Sequence, residues 1–400
     1  MSKLDELLRE LCPNGVEYKK LGEIATVLRG ASPRPIKKYI TNDSDGVNWI
    51  KIGDVPVGSK YITQSKEKIT KEGAEKSRYV RKGDFILSNS MSFGRPYILA
   101  IDGCIHDGWL SISNFKDVFL SDYLYYLLSS SAIQQEMKKR ASFGGAVQNL
   151  NADIVKALVL PVPPIEVQRE IVRILDNFTE LTAELTAELT ARKAQYSHYR
   201  DKLLSYTSTA QMEKLGDTCE MKAGKAIASG LISDECTEET PIKCYGGNGV
   251  RGYVKNANEN GSYPIIGRQG ALCGNVKYAE GQFYATEHAV VVKPKEKYNP
   301  RFLYHLLTNM NLNQYKSAGA QPGLAVKNIA ELVAPVPPLN VQNRIVNVLD
   351  NFERICSDLN IGLPAEIEAR QKQYEYYRDK LLTFAETGNT ILSRAEQSTD

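Results

Sequence analysis

The chain has 400 residues, 42% of them hydrophobic and 24% charged, which is the composition of a folded protein too long for one ordinary core. No apolar run approaches the roughly 18 residues that cross a bilayer, and the amphipathic start MSKLDELLREL reads as neither signal peptide nor anchor, so no membrane association is expected. The net charge is only +3, but residues 18–155 hold 20 Lys/Arg against 14 Asp/Glu, a local surplus that suits a polyanionic partner.

In chain order, an N-terminal amphipathic helix (1–17) leads into a block (18–158) of short β-like runs. VNWIKIG (47–53) and DFILSN (84–89) are separated by Gly, Asn and Ser turns, with one helix expected over 121–139. Residues 159–208 read differently. PVPP ends a strand and delays the helix start, after which Ile171, Ile174, Leu175, Phe178, Leu181, Leu185, Leu189, Tyr196, Tyr199 and Leu203 form one apolar stripe at steps of three, four and seven. Some 40 residues at ~1.5 Å each make a helix of roughly 60 Å. Within it LTAELTAELTA (181–191) repeats a unit of four. A second β-rich block (209–332) carries YPIIG (263–267), HAVVVK (288–293) and a helix over 300–315. It is followed by a second helical block (333–386) and a tail (387–400).

The chain is written twice. PVPPIEVQREIVRILDNF (161–178) returns as PVPPLNVQNRIVNVLDNF (335–352), offset by 174 residues, and ARKAQYSHYRDKLLSY (191–206) returns as ARQKQYEYYRDKLLTF (369–384), offset by 178. The second copy therefore holds four extra residues, and Gly362-Leu363-Pro364 breaks it there. The blocks in front correspond loosely: YLYYLLSS (123–130) with FLYHLLTN (302–309), and GDFILSNSMSFGRPYI (83–98) with SYPIIGRQGALCGNVKY (262–278). The expected class is mixed α/β: two globular domains separated by two long helices paired as an antiparallel coiled coil with an internal pseudo-twofold repeat.

Catalytic signatures are missing. Asn299-Pro300-Arg301-Phe302 lacks the second proline of an adenine-methyltransferase pocket, and Ala223-Gly224-Lys225-Ala226 lacks the spacing and hydroxyl of a nucleotide-binding loop. His106, His198, His288 and His305 have no partner at ligand spacing, so no metal site is expected. His106-Asp107 reads as an exposed turn pair rather than a dyad. The seven scattered cysteines, with no C-x-x-C, suit reduced thiols of a cytoplasmic protein. The chain is expected to be no enzyme by itself.

What remains is a set of loops: GASPRPIKKY (30–39), SNSMSFGRP (88–96), CYGGNGVRGY (244–253) and IGRQGALCGN (266–275). Arg grips guanine and Asn or Gln adenine in the major groove, while Ser and amides beside glycine hold phosphates. The DNA-binding candidates are Arg34, Lys37, Lys38, Ser90 and Arg95 in the first block, and Arg251, Arg268, Gln269 and Asn275 in the second. Each loop taken singly also reads as a solvated turn, and the helical blocks alone equally suit a coiled-coil scaffold whose flanking domains bind proteins.

The motifs P-[IL]-x-V-Q-x-x-I-V-x-[IV]-L-D-N-F and Q-Y-x-x-Y-R-D-K-L-L, each present twice, resemble the specificity (S) subunit of Type I restriction-modification systems. The TAEL run and GLPAEIEARQKQYEYYRDKLLTF are similar to the IC subclass, and the resemblance spans essentially the whole chain. It implies two target recognition domains, each reading one half of a split double-stranded DNA site. The conserved helical regions would form a spacer and bind two modification (methyltransferase) subunits, with restriction (motor-nuclease) subunits joining them. Leu181, Leu185, Leu189, Tyr196, Tyr199, Tyr374 and Tyr377 would then serve the spacer and its partners. S-adenosylmethionine would belong to the modification partner and ATP with Mg to the restriction partner, leaving no cofactor on this chain. In similar subunits of the IC kind, the number of TAEL units is linked to the length of the unread spacer.

Overall fold

The computed structural model describes residues 2–55, 58–89, 93–141, 149–205, 210–317 and 322–384. The chain forms two compact units, Met1–Glu184 with Glu368–Asp400, and Leu185–Ile367. Both division points fall inside helical blocks, the first of them within the TAEL run. Among the described residues no helix is long and apolar enough to cross a membrane, and all seven cysteines are free thiols.

In the first unit the helix Lys3–Leu11 begins with a capping box. The Ser2 hydroxyl accepts from the Asp5 amide while the Asp5 carboxylate accepts from the Ser2 amide, both at 3.2 Å. The strand Glu17–Lys20 then pairs antiparallel with Val159–Val162, so the two ends of the domain are hydrogen-bonded together. Between them stand two five-stranded sheets. In one, the fully buried run Phe85–Ser88 lies between Trp109–Ser113 and Pro96–Leu99, with Thr26–Arg29 outside Trp109–Ser113. In the other, Val47–Ile50 runs parallel to Gly103–Ile105. The helix Ser121–Ser129 packs on Pro96–Leu99. The single helix expected over 121–139 is in fact two, Ser121–Ser129 and Ser131–Ala141. Ser130 between them is extended, and its buried hydroxyl donates to the Leu127 carbonyl at 2.7 Å, which serves one of the carbonyls a helix end leaves open.

The second unit repeats this plan with two four-stranded sheets. Gln211–Lys214 pairs with Val333–Val336 as the closing strands. Tyr263–Gly267 sits between Val276–Ala279 and Ala289–Pro294, with Cys219–Ala223 beyond, and Ile242–Gly246 runs parallel to Gln282–Ala285. The helix Pro300–Asn309 starts as its sequence prescribes, with Asn299 capping the Arg301 and Phe302 amides and proline in the first turn. It stops short of 315 because Asn311 adopts the left-handed region (φ 46°), and a short 3-10 turn, Leu312–Tyr315, follows.

The first helical block is one uninterrupted helix, Ile165–Ser205. The second is two helices, Leu339–Ser357 and Leu363–Leu382. At the break the Asp358 carboxylate accepts from the amides of Asn360 (2.7 Å) and Ile361 (3.2 Å), just ahead of Gly362 and Pro364. Each unit thus takes the start of one helical block and the end of the other. In the first, Phe178 stacks on Tyr377 at 5.5 Å and 21°; in the second, Phe352 stacks on Tyr199 at 5.7 Å and 24°. These pairs are related by the offsets of 174 and 178, so the repeat seen in sequence is also a repeat of contacts. The pairing in the second unit is antiparallel. Phe352 meets Tyr199 and Tyr196, and further along, where burial pushes the Cys356 thiol up, Lys193 and Arg192 pull it the other way.

The apolar stripe is less covered than its periodicity suggests. Ile171, Leu175 and Leu204 are buried, but no residue of the long helix between Leu175 and Leu204 is. Leu185 and Leu189 are half-buried and Leu181 is 47% exposed.

Candidate nucleic-acid interface

The two domains hold their loops on the same backbone frame. In the first, the amide of Gly30 donates to Trp109 and that of Ala31 to Ile105; in the second, Gly224 donates to Ala289 and Lys225 to Ala285. The approach is so close that a Cβ would lie 2.0 Å from the His106 carbonyl oxygen at Gly30, and 2.0 Å from the Ala285 carbonyl oxygen at Gly224, so only glycine fits. This fixes a tight elbow, 106–108 in one domain and 286–288 in the other, closed in each by Trp109 N to His106 O (3.1 Å) and Ala289 N to Thr286 O (3.0 Å).

The neighbouring loop is anchored identically. Asn89 N donates to Gly108 O, as Arg268 N does to His288 O; Leu150 N donates to Asn89 O, as Leu324 N does to Arg268 O; Ser88 N donates to Arg95 O, as Gly267 N does to Asn275 O. Asn89 and Arg268 therefore occupy one structural position, as do Arg95 and Asn275, and Asp107 and Glu287. Only the side chains differ.

In the first domain Asp107 is the centre of the site. Its carboxylate accepts from the Ser32 hydroxyl at 2.6 Å, which holds it below the usual carboxylate range, and Arg34, 85% exposed, stands 3.8 Å away. The Asp107 carbonyl accepts from Arg29 Nε (3.1 Å) and Asn89 Nδ2 (3.0 Å). His106 is not the exposed turn residue its sequence context suggested. Its ring lies among Trp49 and Trp109, its Nδ1 accepts from the Gly108 amide at 2.8 Å, and desolvation lowers its pKa. The wall of Gly30 and the two tryptophans, invisible in the local sequence, causes this burial. Arg95 lies over the Tyr97 ring at 5.5 Å. Lys37 and Lys38 sit on the 3-10 turn Ile36–Lys38, where Lys38 lies over Tyr39, and Lys76, which is paired with Glu72, lies over the same ring. Ser90 lies outside the described residues.

In the second domain the four candidates stand around one turn. Asn275 Nδ2 donates to Asn248 Oδ1 at 2.6 Å, on the turn between the strands Ile242–Gly246 and Gly249–Val254. Arg251 flanks Gly246 on that turn and donates to the Ser229 hydroxyl at 3.1 Å. Gly247 faces the Gln269 carbonyl and the His288 side chain. Arg268 and Gln269 line a cleft of about 520 Å³ with Ser317, Pro322–Ala325 and Asn328.

Two further residue pairs escaped the sequence reading. The buried Gln168 accepts from the Leu120 amide and donates to Val118 and Pro163; Gln342, also buried and 174 residues on, accepts from the Asn299 amide and donates to Lys297 and Pro337. Each clamps the start of its domain's helix to its helical block. Asp176 likewise accepts from the Tyr126 hydroxyl, and its counterpart Asp350 bonds His305 Nε2 at 2.7 Å. Both positions were legible as invariant letters of the repeat, but their partners were not. His305, alone by sequence spacing, comes within 4.8 Å of Asp350 and Glu353 ligand atoms. Arg301 bridges both carboxylates at 2.9 and 2.7 Å, so its guanidinium already supplies the positive charge there.

The spacer candidates divide by environment. Tyr199 and Tyr377 are in the ring stacks, Tyr196 faces Phe352, and Tyr374 packs against the first unit's core beneath Arg378.

The family model for the Type I restriction modification DNA specificity domain matches twice, over residues 13–192 and 208–369. The Type I restriction enzyme EcoprrI specificity subunit of Escherichia coli is 35% identical over 90% of this chain and 93% of its own length. A putative type I restriction enzyme specificity subunit of Haemophilus influenzae is 27% identical over 92% and 96%. The fold is similar to the HsdS subunit from Thermoanaerobacter tengcongensis, with a TM-score of 0.56 at 18% identity over 94% of this chain and 98% of that one. It is also similar to a chain of a type I R-M system solved for its complex assembly, with a TM-score of 0.64 at 17% identity over 92% and 98%. The chain belongs to the family of Type I restriction-modification DNA specificity subunits.

Proposed function

We propose that this specificity subunit reads a split double-stranded DNA site, one half with residues 18–158 and the other with 209–332. The observation that carries this reading is the shared loop frame bearing unlike side chains, with Asn89 and Arg95 in one domain where Arg268 and Asn275 stand in the other. A common scaffold with exchanged hydrogen-bonding groups is what two readers of different base sequences need. The helical blocks set the separation of the half-sites and dock two modification subunits, which restriction subunits join. The chain performs no chemistry of its own. S-adenosylmethionine is held by the modification partner, ATP and Mg by the restriction partner, and the assembly works in the cytoplasm.

Gel-shift titration of the chain with its modification partner against salt tests the DNA reading. A steep fall of log affinity with log salt is expected, because lysines and arginines release condensed counterions from the phosphates. A complex that binds no duplex at any salt, while still binding its partner, would instead make the chain a protein scaffold.

A further inference from the structure

Buried polar atoms without a partner are few in a folded protein, and each asks for an explanation. Among the described residues six side-chain atoms are in this condition. Three of them, Arg268 Nε, Glu287 Oε2 and His288 Nδ1, belong to one place, because the Arg268 amide is bonded to the His288 carbonyl at 2.9 Å. Two more, Asp54 Oδ1 and Trp109 Nε1, are beside the corresponding elbow of the first domain, where Asp54 acts on His106 and Trp109 follows the turn. Five of six unpaired groups thus sit at the two equivalent elbows.

From this we infer that the elbow 286–288 is a base-reading edge of the second domain, and that Glu287 is a specificity-determining residue for its half-site. The inference rests on the DNA reading proposed above. Glu287 is 40% exposed and His288 37%, so both are open on one side while one polar atom of each is shielded. The other carboxylate oxygen of Glu287 is engaged by His288 Nε2 at 3.2 Å. That contact puts the imidazole proton on Nε2 and leaves Nδ1 an acceptor. A turn of these side chains, which no bond at Glu287 Oε2, His288 Nδ1 or Arg268 Nε holds back, brings two acceptors and one donor to the open side of the elbow.

A partner must offer a donor to one of these acceptors and an acceptor to Arg268. The major-groove edges of cytosine opposite guanine (N4 amino against O6 and N7) and of adenine (N6 amino against N7) both do. Glu287 would accept from the exocyclic amino group and Arg268 donate to the purine acceptor. Thymine and guanine, which present acceptors alone along the major-groove edge, would meet the carboxylate with repulsion. The position is acidic in both domains, Asp107 and Glu287, although the surrounding sequences share no motif there. In the first domain the carboxylate is already bonded to Ser32, so the freer acidic group is that of Glu287.

The test is methylation by the complex of this chain with its modification subunit, on DNA libraries randomised in the second half-site. Glu287→Gln keeps the size of the side chain and turns one acceptor into a donor. It should lower discrimination at one base pair of the second half-site by about ten- to a hundredfold, leave the first half-site as it was, and leave the melting temperature unchanged. Arg268→Lys, which loses the planar donor, should loosen the same or the adjacent base pair. Variants that keep the wild-type preference at every position, or that weaken methylation evenly across all sequences, overturn the inference. A wild-type complex that modifies no split site overturns the DNA reading instead.

Discussion

At the scale of single residues, Gln168 and Gln342 show how a repeat keeps its geometry while its loops diverge. Each is buried and serves one amide and two carbonyls. Replacing Gln342 by Ala strands the Asn299 amide and the Lys297 and Pro337 carbonyls, at a cost of about 1–3 kcal/mol or more, measurable by denaturant unfolding. His305 differs from its counterpart Tyr126 in carrying a group whose ordinary pKa lies near neutrality. Burial lowers its pKa from 6.5, against the opposing pull of Asp350 and Glu353, with Arg301, Tyr304 and Tyr196 completing the surroundings. Below the unfolded value the unfolded chain takes up a proton that the folded one resists, so stability falls as the pH drops through that range. His305→Tyr, which copies the first domain, should reduce this loss between about pH 7.5 and about pH 5.5; an unchanged pH dependence of unfolding would assign it elsewhere.

At the scale of elements, the sequence was most informative where periodicity or an internal copy did the work. The strand Tyr263–Gly267 and the break before Pro364 follow directly from their letters. The ends of the domain helices did not, because Ser130 and Asn311 stop them through a buried hydroxyl bond to the preceding turn and a left-handed backbone, neither of which the periodicity signals. The elbows were missed for the same reason. His106-Asp107 and Glu287-His288 share no spacing motif, and their likeness lies in backbone bonds to Gly30 and Gly224. The arginines and amides of the flanking loops were legible by residue type, yet Lys38, equally basic, belongs to the Tyr39 cluster with Lys76. No residue of the TAEL segment is buried, so it should tolerate a change of length. Deleting 186–189 removes about 6 Å and roughly 40° of helix. The recognised spacer should shorten while both half-sites persist, as read from methylated sites in cells; an altered half-site would show that the segment takes part in recognition.

At the scale of the whole molecule, the two copies are not successive beads. The compact units combine 165–184 with 368–382 and 185–205 with 339–357, so each domain's core includes helix supplied by the other copy's block. Such an exchange favours likeness where the blocks pack, as at Phe178 and Phe352 or Tyr199 and Tyr377, while the loops on the shared frame are free to change. That is the arrangement that two readers of independent sequence would need. The most direct measurement is methylome sequencing of cells that carry this chain with its modification subunit, before and after replacing residues 209–332 by the corresponding domain of a relative with another specificity. One half of a split site should change while the other half is retained; a contiguous site, or loss of both halves together, would contradict two independent readers on one frame.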